Sequence, residues 1–264
     1  HCNSWKLLRS EAISFPDPGP LPYPPYLVGL WIGDGARGST RITNSKPEVR
    51  SYCQEIAPTI GLLCKVQANR NTFNIDFSTR EGSGRGPRAS RDSFGHYLKG
   101  GENPFRQFLQ ARCLAGSVKM IPPQYLTASL EDRRQLLAGI VDTDGESTGN
   151  SNTFVTVTGE PYRDGLLFLA RSLGFACYCI ETSTHAAVSG KVSTYYAISI
   201  AGPLDRLPTR VRRFPPRKSL KRVNVVGFEV EDAGQGDYFG FTLDGDGRFL
   251  LGDFTVTHNT TLWA

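Results

Sequence analysis

The chain has 264 residues, 30 Lys and Arg against 25 Asp and Glu, and a formal net charge of +5. With 39% apolar and 21% charged residues, it can bury a core, which excludes a disordered tail; its length suits one large domain or two ordinary ones. Apolar runs such as Leu136 to Val141, of six residues, fall far short of the roughly 20 that a bilayer helix needs, so no membrane span is expected.

The N-terminus does not read as a signal peptide, because Lys6 breaks the run Trp5 to Leu8 and Asp and Pro follow. Six Cys contain no C-x-x-C pair, which argues against a disulfide framework and structural zinc and for a reducing, intracellular compartment. Charge is uneven along the chain. Residues 222–264 hold two basic and seven acidic residues, whereas the other 221 hold 28 basic and 18 acidic, a net +10. Arg206 to Arg222 alone carries eight Lys and Arg and no acid. A basic body joined to an acidic piece implies two units, one of them facing an anionic partner.

In chain order, the first strong element is Tyr26-Leu-Val-Gly-Leu-Trp-Ile-Gly-Asp34-Gly35, an apolar helix ending in Asp-Gly. Ser39 to Asn44 then reads as strand, Pro47 to Ile60 as helix, and Cys64 onward as extended. Thr72 to Ser78 alternates with Phe73, Ile75 and Phe77 on one face, and Asn69-Arg-Asn71 is the turn before it. A further helix is expected near Asn103 to Ala115. The pattern then recurs. Leu136-Leu-Ala-Gly-Ile-Val-Asp-Thr-Asp144-Gly145 matches the first motif 110 residues on. Thr153 to Thr158, a helix from Pro161 to Leu173, and extended segments from Ala176 and from Thr194 follow it. The expected fold is α+β, with two αββαββ halves related by a pseudo-twofold. Their sheets would offer a polar, basic face to a duplex, whose major groove accepts a β-ribbon.

Packed face to face, the two motif helices would touch at Gly29 and Gly139, with Leu30, Leu137 and Ile140 supplying apolar contact. Asp34 and Asp144 would meet where the helices end. Two neighbouring carboxylates repel and call for divalent cations, and oxygen-only ligands point to Mg2+. Such a cation can lower the pKa of an attacking water and stabilise a leaving 3′ oxygen. A single Asp-Gly would read as a helix C-terminus with a glycine cap; two copies with matched flanks favour the metal site.

The paired motifs resemble the signature of LAGLIDADG homing endonucleases, most closely in Leu137-Ala-Gly-Ile-Val-Asp-Thr-Asp-Gly145. The resemblance implies cleavage of a long DNA site, with the penultimate acid of each motif, Asp34 and Asp144, binding metal. It also implies a catalytic role for the lysine of Lys119-Met-Ile-Pro122, as water activator or phosphate counter-charge; otherwise it is a snorkelling surface lysine. Trp31 and Gly33 depart from the signature's small and acidic residues. Arg133, Arg134 and Asp142 have no family role.

The segment Asp237 to Thr260 resembles the C-terminal splicing block of an intein, and would add a β-rich piece of a Hint splicing domain. It reads as a hairpin of Tyr238 to Leu243 with Arg248 to Val256, ending in His258-Asn259-Thr260. The resemblance implies that the Asn259 amide attacks its own carbonyl, that His258 polarises that carbonyl, and that the Thr260 hydroxyl accepts an acyl group. His1 falls where an amino-terminal block histidine would lie. Cys2 is not a splicing nucleophile, since Asn3-Ser-Trp-Lys does not match that block. An N-terminally truncated intein is therefore expected: residues 1–20 a remnant of the first splicing half, 21–221 the endonuclease, 222–259 the second splicing segment, and 260–264 host sequence.

The partners expected are double-stranded DNA and flanking host protein, and two motifs in one chain imply a monomer. Arg210, Arg212, Arg213, Arg217 and Lys218 are the candidate DNA contacts; with Pro208, Pro215 and Pro216 among them they also read as a solvated connector. A maturase-like binding module without cleavage, or a splicing element with a passive insert, are the alternatives.

Overall fold

The computed structural model describes residues 5–16, 18–79, 103–147, 152–186, 192–211, 222–232, 234–237, 240 and 242–259. After strand β1 (Lys6–Leu8) a proline-rich passage leads into helix α1 (Pro25–Asp34), and β2 (Ile42–Asn44), α2 (Pro47–Thr59), β3 (Leu63–Asn69) and β4 (Thr72–Ser78) follow. Helix α3 (Pro104–Arg112), the short hairpin β5 (Leu114–Ala115) and β6 (Val118–Lys119), and α4 (Pro123–Leu126) lead to α5 (Leu130–Asp144). Then come β7 (Gly145–Ser147), β8 (Asn152–Thr158), α6 (Glu160–Ser172), β9 (Ala176–Ala186) and β10 (Val192–Ala201). The last elements are β11 (Val225–Gly227), β12 (Arg248–Leu250) and β13 (Val256–His258). Among the described residues this is a mixed α+β chain of six α-helices with small antiparallel sheets.

Helix α1 starts on Pro25, whose missing N–H costs nothing in the first turn. Tyr26 to Ile32 are all buried, so the helix is apolar all round and runs through the core. Helix α5 is fixed at its start by Ser129, whose Oγ accepts from the Asp132 N–H at 3.1 Å, with Glu131 and Asp132 in the first turn. The two helices pack at Gly29 and Gly139. A Cβ on Gly29 would clash with the Leu136 carbonyl and lie 3.1 Å from the Gly139 Cα; one on Gly139 would clash with the Tyr26 carbonyl and lie 2.9 Å from the Leu30 nitrogen. Only glycine permits that approach.

One sheet has the order β2-β4-β3, the other β7-β8-β10-β9. Their registers run in parallel. Ile42 bridges Gly35 on one side and Ile75 on the other; Val155 likewise lies between Gly145 and Ile198. Arg70, at φ 51°, makes the two-residue turn into β4. Opposite the core, the first sheet shows Thr43, Lys65, Gln67, Asn74 and Asp76. Asp76 is neutralised by a bidentate Arg41, so this face is polar but mixed in charge, where a basic one was expected.

The two ends of the described chain meet. Strand β1 pairs with β11, Arg9 bridges Thr255, and the Arg9 N–H donates to the Asn224 carbonyl at 2.9 Å. Phe254 fastens this small β unit to α6, with its ring 5.1 Å from Phe168 and edge-on. One expected pairing differs. Arg248–Leu250 pairs with Val256–His258, while Gly240, Thr242 and Leu243 carry no strand. The turn within residues 251–255 closes this tighter hairpin: the Leu251 N–H donates to the Thr255 carbonyl at 2.9 Å, and Asp253 accepts from the Thr255 N–H at 3.0 Å.

Candidate active site

Asp34 and Asp144 are the last residues of α1 and α5. Because those helices cross at Gly29 and Gly139, both carboxylates arrive at one place, together with the negative ends of two helix dipoles. The following glycines are not left-handed caps: Gly35 and Gly145 have φ −75° and −72°, in extended backbone. They are needed for space, since a Cβ on Gly35 would clash with the Trp31 carbonyl and one on Gly145 would lie 2.5 Å from the Val141 carbonyl. Each glycine still caps its helix, its N–H donating to the Trp31 or Val141 carbonyl, but in extended rather than left-handed backbone, and Gly145 opens β7 directly.

Lys119 supplies an opposing charge that acts on both acids. The β5–β6 hairpin, turned by Gly116 at φ 61°, delivers it so that Nζ donates to the Gly33 carbonyl at 2.6 Å and lies over the Trp31 ring. It is thus not a snorkelling surface residue. Burial raises the Asp34 carboxyl; the Asn44 side chain, whose Nδ2 donates to Oδ2 at 2.5 Å, and Lys119 oppose that rise. Burial pushes Asp144 up to about 6, the Asp34 charge adds to the shift, and Lys119 opposes it. Burial takes Lys119 down to about 8 against the pull of Asp144 and Asp34, with Arg37 lowering it further. Two acids crowded at buried helix ends face one lysine, so their charge is incompletely compensated. The donors are all oxygen, as a hard divalent cation requires. Among the described residues no group of three or more His, Cys, Asp and Glu could hold a metal, so further ligands would have to come from backbone, water or substrate.

A cavity of about 320 Å³ opens beside these residues, lined among others by Arg37, Ser117, Lys119, Asp144 and Tyr162. Arg37 is tied to the Ser117 carbonyl. Tyr162, on α6, carries no motif that would mark it in the sequence. Burial raises its phenol well above the ordinary value, and the charges of Asp144 and Asp34 add to that. Asn44 and Asp142 are further supports that the sequence does not mark. The Asp142 Oδ2 accepts from the Tyr26 hydroxyl at 2.6 Å and from the Arg210 N–H at 2.6 Å. Arg133 is fully buried, donating to the Ser172 carbonyl at 2.9 Å and the Ser172 hydroxyl at 2.7 Å. The roles of Asp142 and Arg133 could not be read from the motif, because their partners lie far away in sequence.

Arg210 is stacked with its guanidinium 4.5 Å from the centre of the Tyr52 ring and 5.2 Å from that of Tyr26. Arg212, Arg213, Arg217 and Lys218 lie outside the described residues, as do His1, Cys2 and Thr260. His258 ends β13, and the Asn259 N–H donates to the Gly247 carbonyl at 2.8 Å. Both line a separate cavity of about 330 Å³ with Gly245, Asp246 and Gly247.

The profile of the homing endonuclease family matches residues 120–207, the stretch that contains α5 and Asp144. The chain is 28% identical over 67% of its length to a replicative DNA helicase DnaB of Mycobacterium intracellulare, covering 23% of that protein. It is 26% identical over 54% of its length to the catalytic subunit of a V-type proton ATPase from Candida tropicalis, covering 14% of it. It is 25% identical over 86% of its length to the homothallic switching endonuclease of Saccharomyces cerevisiae, covering 42% of it. The chain thus spans less than half of each relative. The match over residues 120–207 and the likeness to a switching endonuclease are consistent with a homing endonuclease domain carried in an intein.

Proposed function

We propose that this chain is a site-specific, divalent-metal-dependent endonuclease of the LAGLIDADG type that cuts both strands of a DNA duplex. The observation that carries the reading is the convergence of Asp34 and Asp144 at the ends of two helices crossing at Gly29 and Gly139, with Lys119 beside them. The pseudo-twofold is supported by the parallel registers Gly35–Ile42–Ile75 and Gly145–Val155–Ile198. Two motifs in one chain make a monomer sufficient.

In this reading Asp34 and Asp144 would hold Mg2+, which would supply Lewis acidity towards the leaving 3′ oxygen. Asn44 fixes the Asp34 carboxylate. Lys119, lowered towards neutrality, balances the phosphate charge or takes the proton of the attacking water. Water adds to phosphorus as the bond to O3′ breaks, and O3′ takes up a proton. The basic body attracts the duplex. A maturase-like binding module would have no use for two buried, mutually repelling acids, which argues for cleavage.

The C-terminal segment is proposed as a Hint splicing segment. The Asn259 side-chain nitrogen would attack its own main-chain carbonyl, releasing the Thr260 amine and leaving a succinimide, with His258 polarising that carbonyl. The adjacency of His258 and Asn259 at one cavity supports this.

The test of nuclease function is selection from a random duplex library with Mg2+. Wild-type chain should yield a cleaved consensus, and Asp34→Asn or Asp144→Asn should abolish cutting while binding in Ca2+ survives. Wild-type cutting rates in either variant would refute the assignment.

A further inference from the structure

Strands β12 and β13 pair with Arg248 opposite His258, and the ladder runs one step further: the Asn259 N–H donates to the Gly247 carbonyl at 2.8 Å. Gly247 ends the run Asp244-Gly245-Asp246-Gly247. Its two glycines stand at φ 73° and 69°, the left-handed region that other residues enter only at a cost. Asp246 pins the turn, accepting from the Arg248 N–H at 3.1 Å and from the Arg248 Nε at 2.6 Å.

The two glycines share a conformation but not a neighbourhood. A Cβ on Gly245 would meet nothing within 4 Å. One on Gly247 would lie 3.1 Å from the His258 Nε2, 3.4 Å from its Cε1 and 3.7 Å from the Asn259 carbonyl oxygen. A single point beside Gly247 therefore touches both the scissile carbonyl and the ring proposed to polarise it. The contact with the oxygen is an ordinary one, whereas that with the ring is tight enough to shift it by a few tenths of an ångström. Backbone conformation alone accounts for glycine at 245; at 247 the empty space is needed as well.

We propose that Gly247 is a positioning residue for cleavage after Asn259: its carbonyl anchors the Asn259 backbone, and its missing side chain leaves room for the His258 ring beside the Asn259 carbonyl. In the step it serves, the Asn259 side-chain nitrogen bonds to the main-chain carbonyl carbon as the bond to the Thr260 nitrogen breaks. One proton leaves the side-chain nitrogen and one reaches the Thr260 amine. This rests on the splicing reading above, and the two fail on different observations.

The whole chain is incubated and release of Thr-Thr-Leu-Trp-Ala is followed by mass spectrometry. Gly247→Ala and Gly245→Ala carry the same backbone cost, so the difference between them reads the space alone. Gly247→Ala should release the peptide about tenfold more slowly than Gly245→Ala, since a displacement of about 1 Å at a reacting centre can cost about a hundredfold. With His258→Ala in both chains there is no ring to displace, and the two glycine variants should differ by less than about twofold. A merely structural defect would keep the tenfold gap. Equal rates in the two single variants, or a gap that survives His258→Ala, would overturn the role of Gly247 alone. A wild-type chain that releases no peptide would overturn the splicing reading and this one with it.

Discussion

Thr143 fills the space that Gly33 leaves. The two residues precede the two motif acids, and a Cβ placed on Gly33 would overlap the Thr143 hydroxyl and lie 2.7 Å from its Cβ. Thr143 is not free to turn away, since its Oγ1 donates to the Ile140 carbonyl at 2.9 Å. The departure of the first motif from the family signature at Gly33 is thus compensated across the helix pair. Gly33→Ala should destabilise the chain by about 1–3 kcal/mol, and adding Thr143→Ala, which removes the hydroxyl but keeps the Cβ 2.7 Å away, should restore part of the loss. Additive losses in a denaturant double-mutant cycle would contradict the contact.

Deeper in the crossing there is no such relief. At Gly139 the clash is with the backbone carbonyl of Tyr26, which no side-chain rotation removes. Gly139→Ala should cost about 3 kcal/mol or more and separate the two acids, reducing metal affinity together with stability. A variant that keeps its melting temperature would show that the helices can part without cost.

The acids should also oppose folding while no cation is bound. Replacing Asp144 by Asn removes a buried charge that Asp34 repels, so the metal-free Asp144→Asn chain should gain about 1–2 kcal/mol in stability. The rise in melting temperature that Mg2+ gives the wild type should disappear. Calorimetry with and without Mg2+ tests both; a destabilised variant would count against a crowded pair.

Within the basic run, Arg210 should behave unlike its neighbours. Its guanidinium lies over Tyr26 and Tyr52, so Arg210→Ala should lower stability by about 1 kcal/mol and leave the salt dependence of duplex binding nearly unchanged. Changing Arg212, Arg213, Arg217 and Lys218 together to Gln should flatten the salt slope by about 3–4 if all four meet phosphates. An unchanged slope would make this run a connector.

At the C-terminus, Asn259→Ala should block cleavage before Thr260, and His258→Ala should slow it without moving the site. Attack geometry supplies much of the rate of such a step. Mass spectrometry would detect released Thr-Thr-Leu-Trp-Ala; its absence would end the splicing assignment.

Periodicity and motif made the helices, the alternation of β4 and the meeting of Asp34 with Asp144 legible in the sequence. Each is a local pattern, or a pattern repeated once. Tyr162 was not legible, because a tyrosine after a proline at a helix start looks like ordinary core until it is seen at one cavity with Asp144 and Lys119. Asp142 gave no sign of bonding Tyr26, 116 residues away. The pairing of β12 with β13 was missed because two hairpins compete there, and the Gly252-Asp253 turn, with Asp253 bonded to Thr255, favours the shorter.

The hydrogen bond from Arg9 to Asn224 gives the body a single doorway. The chain goes in at Arg9, folds more than two hundred residues, and comes out within one hydrogen bond of where it entered. A host fold accommodating such an insert has to open no wider than a tight turn, and closing the loop costs little because the insert's own packing holds its ends together. A body whose ends meet in this way would disturb little of the strands on either side of the doorway.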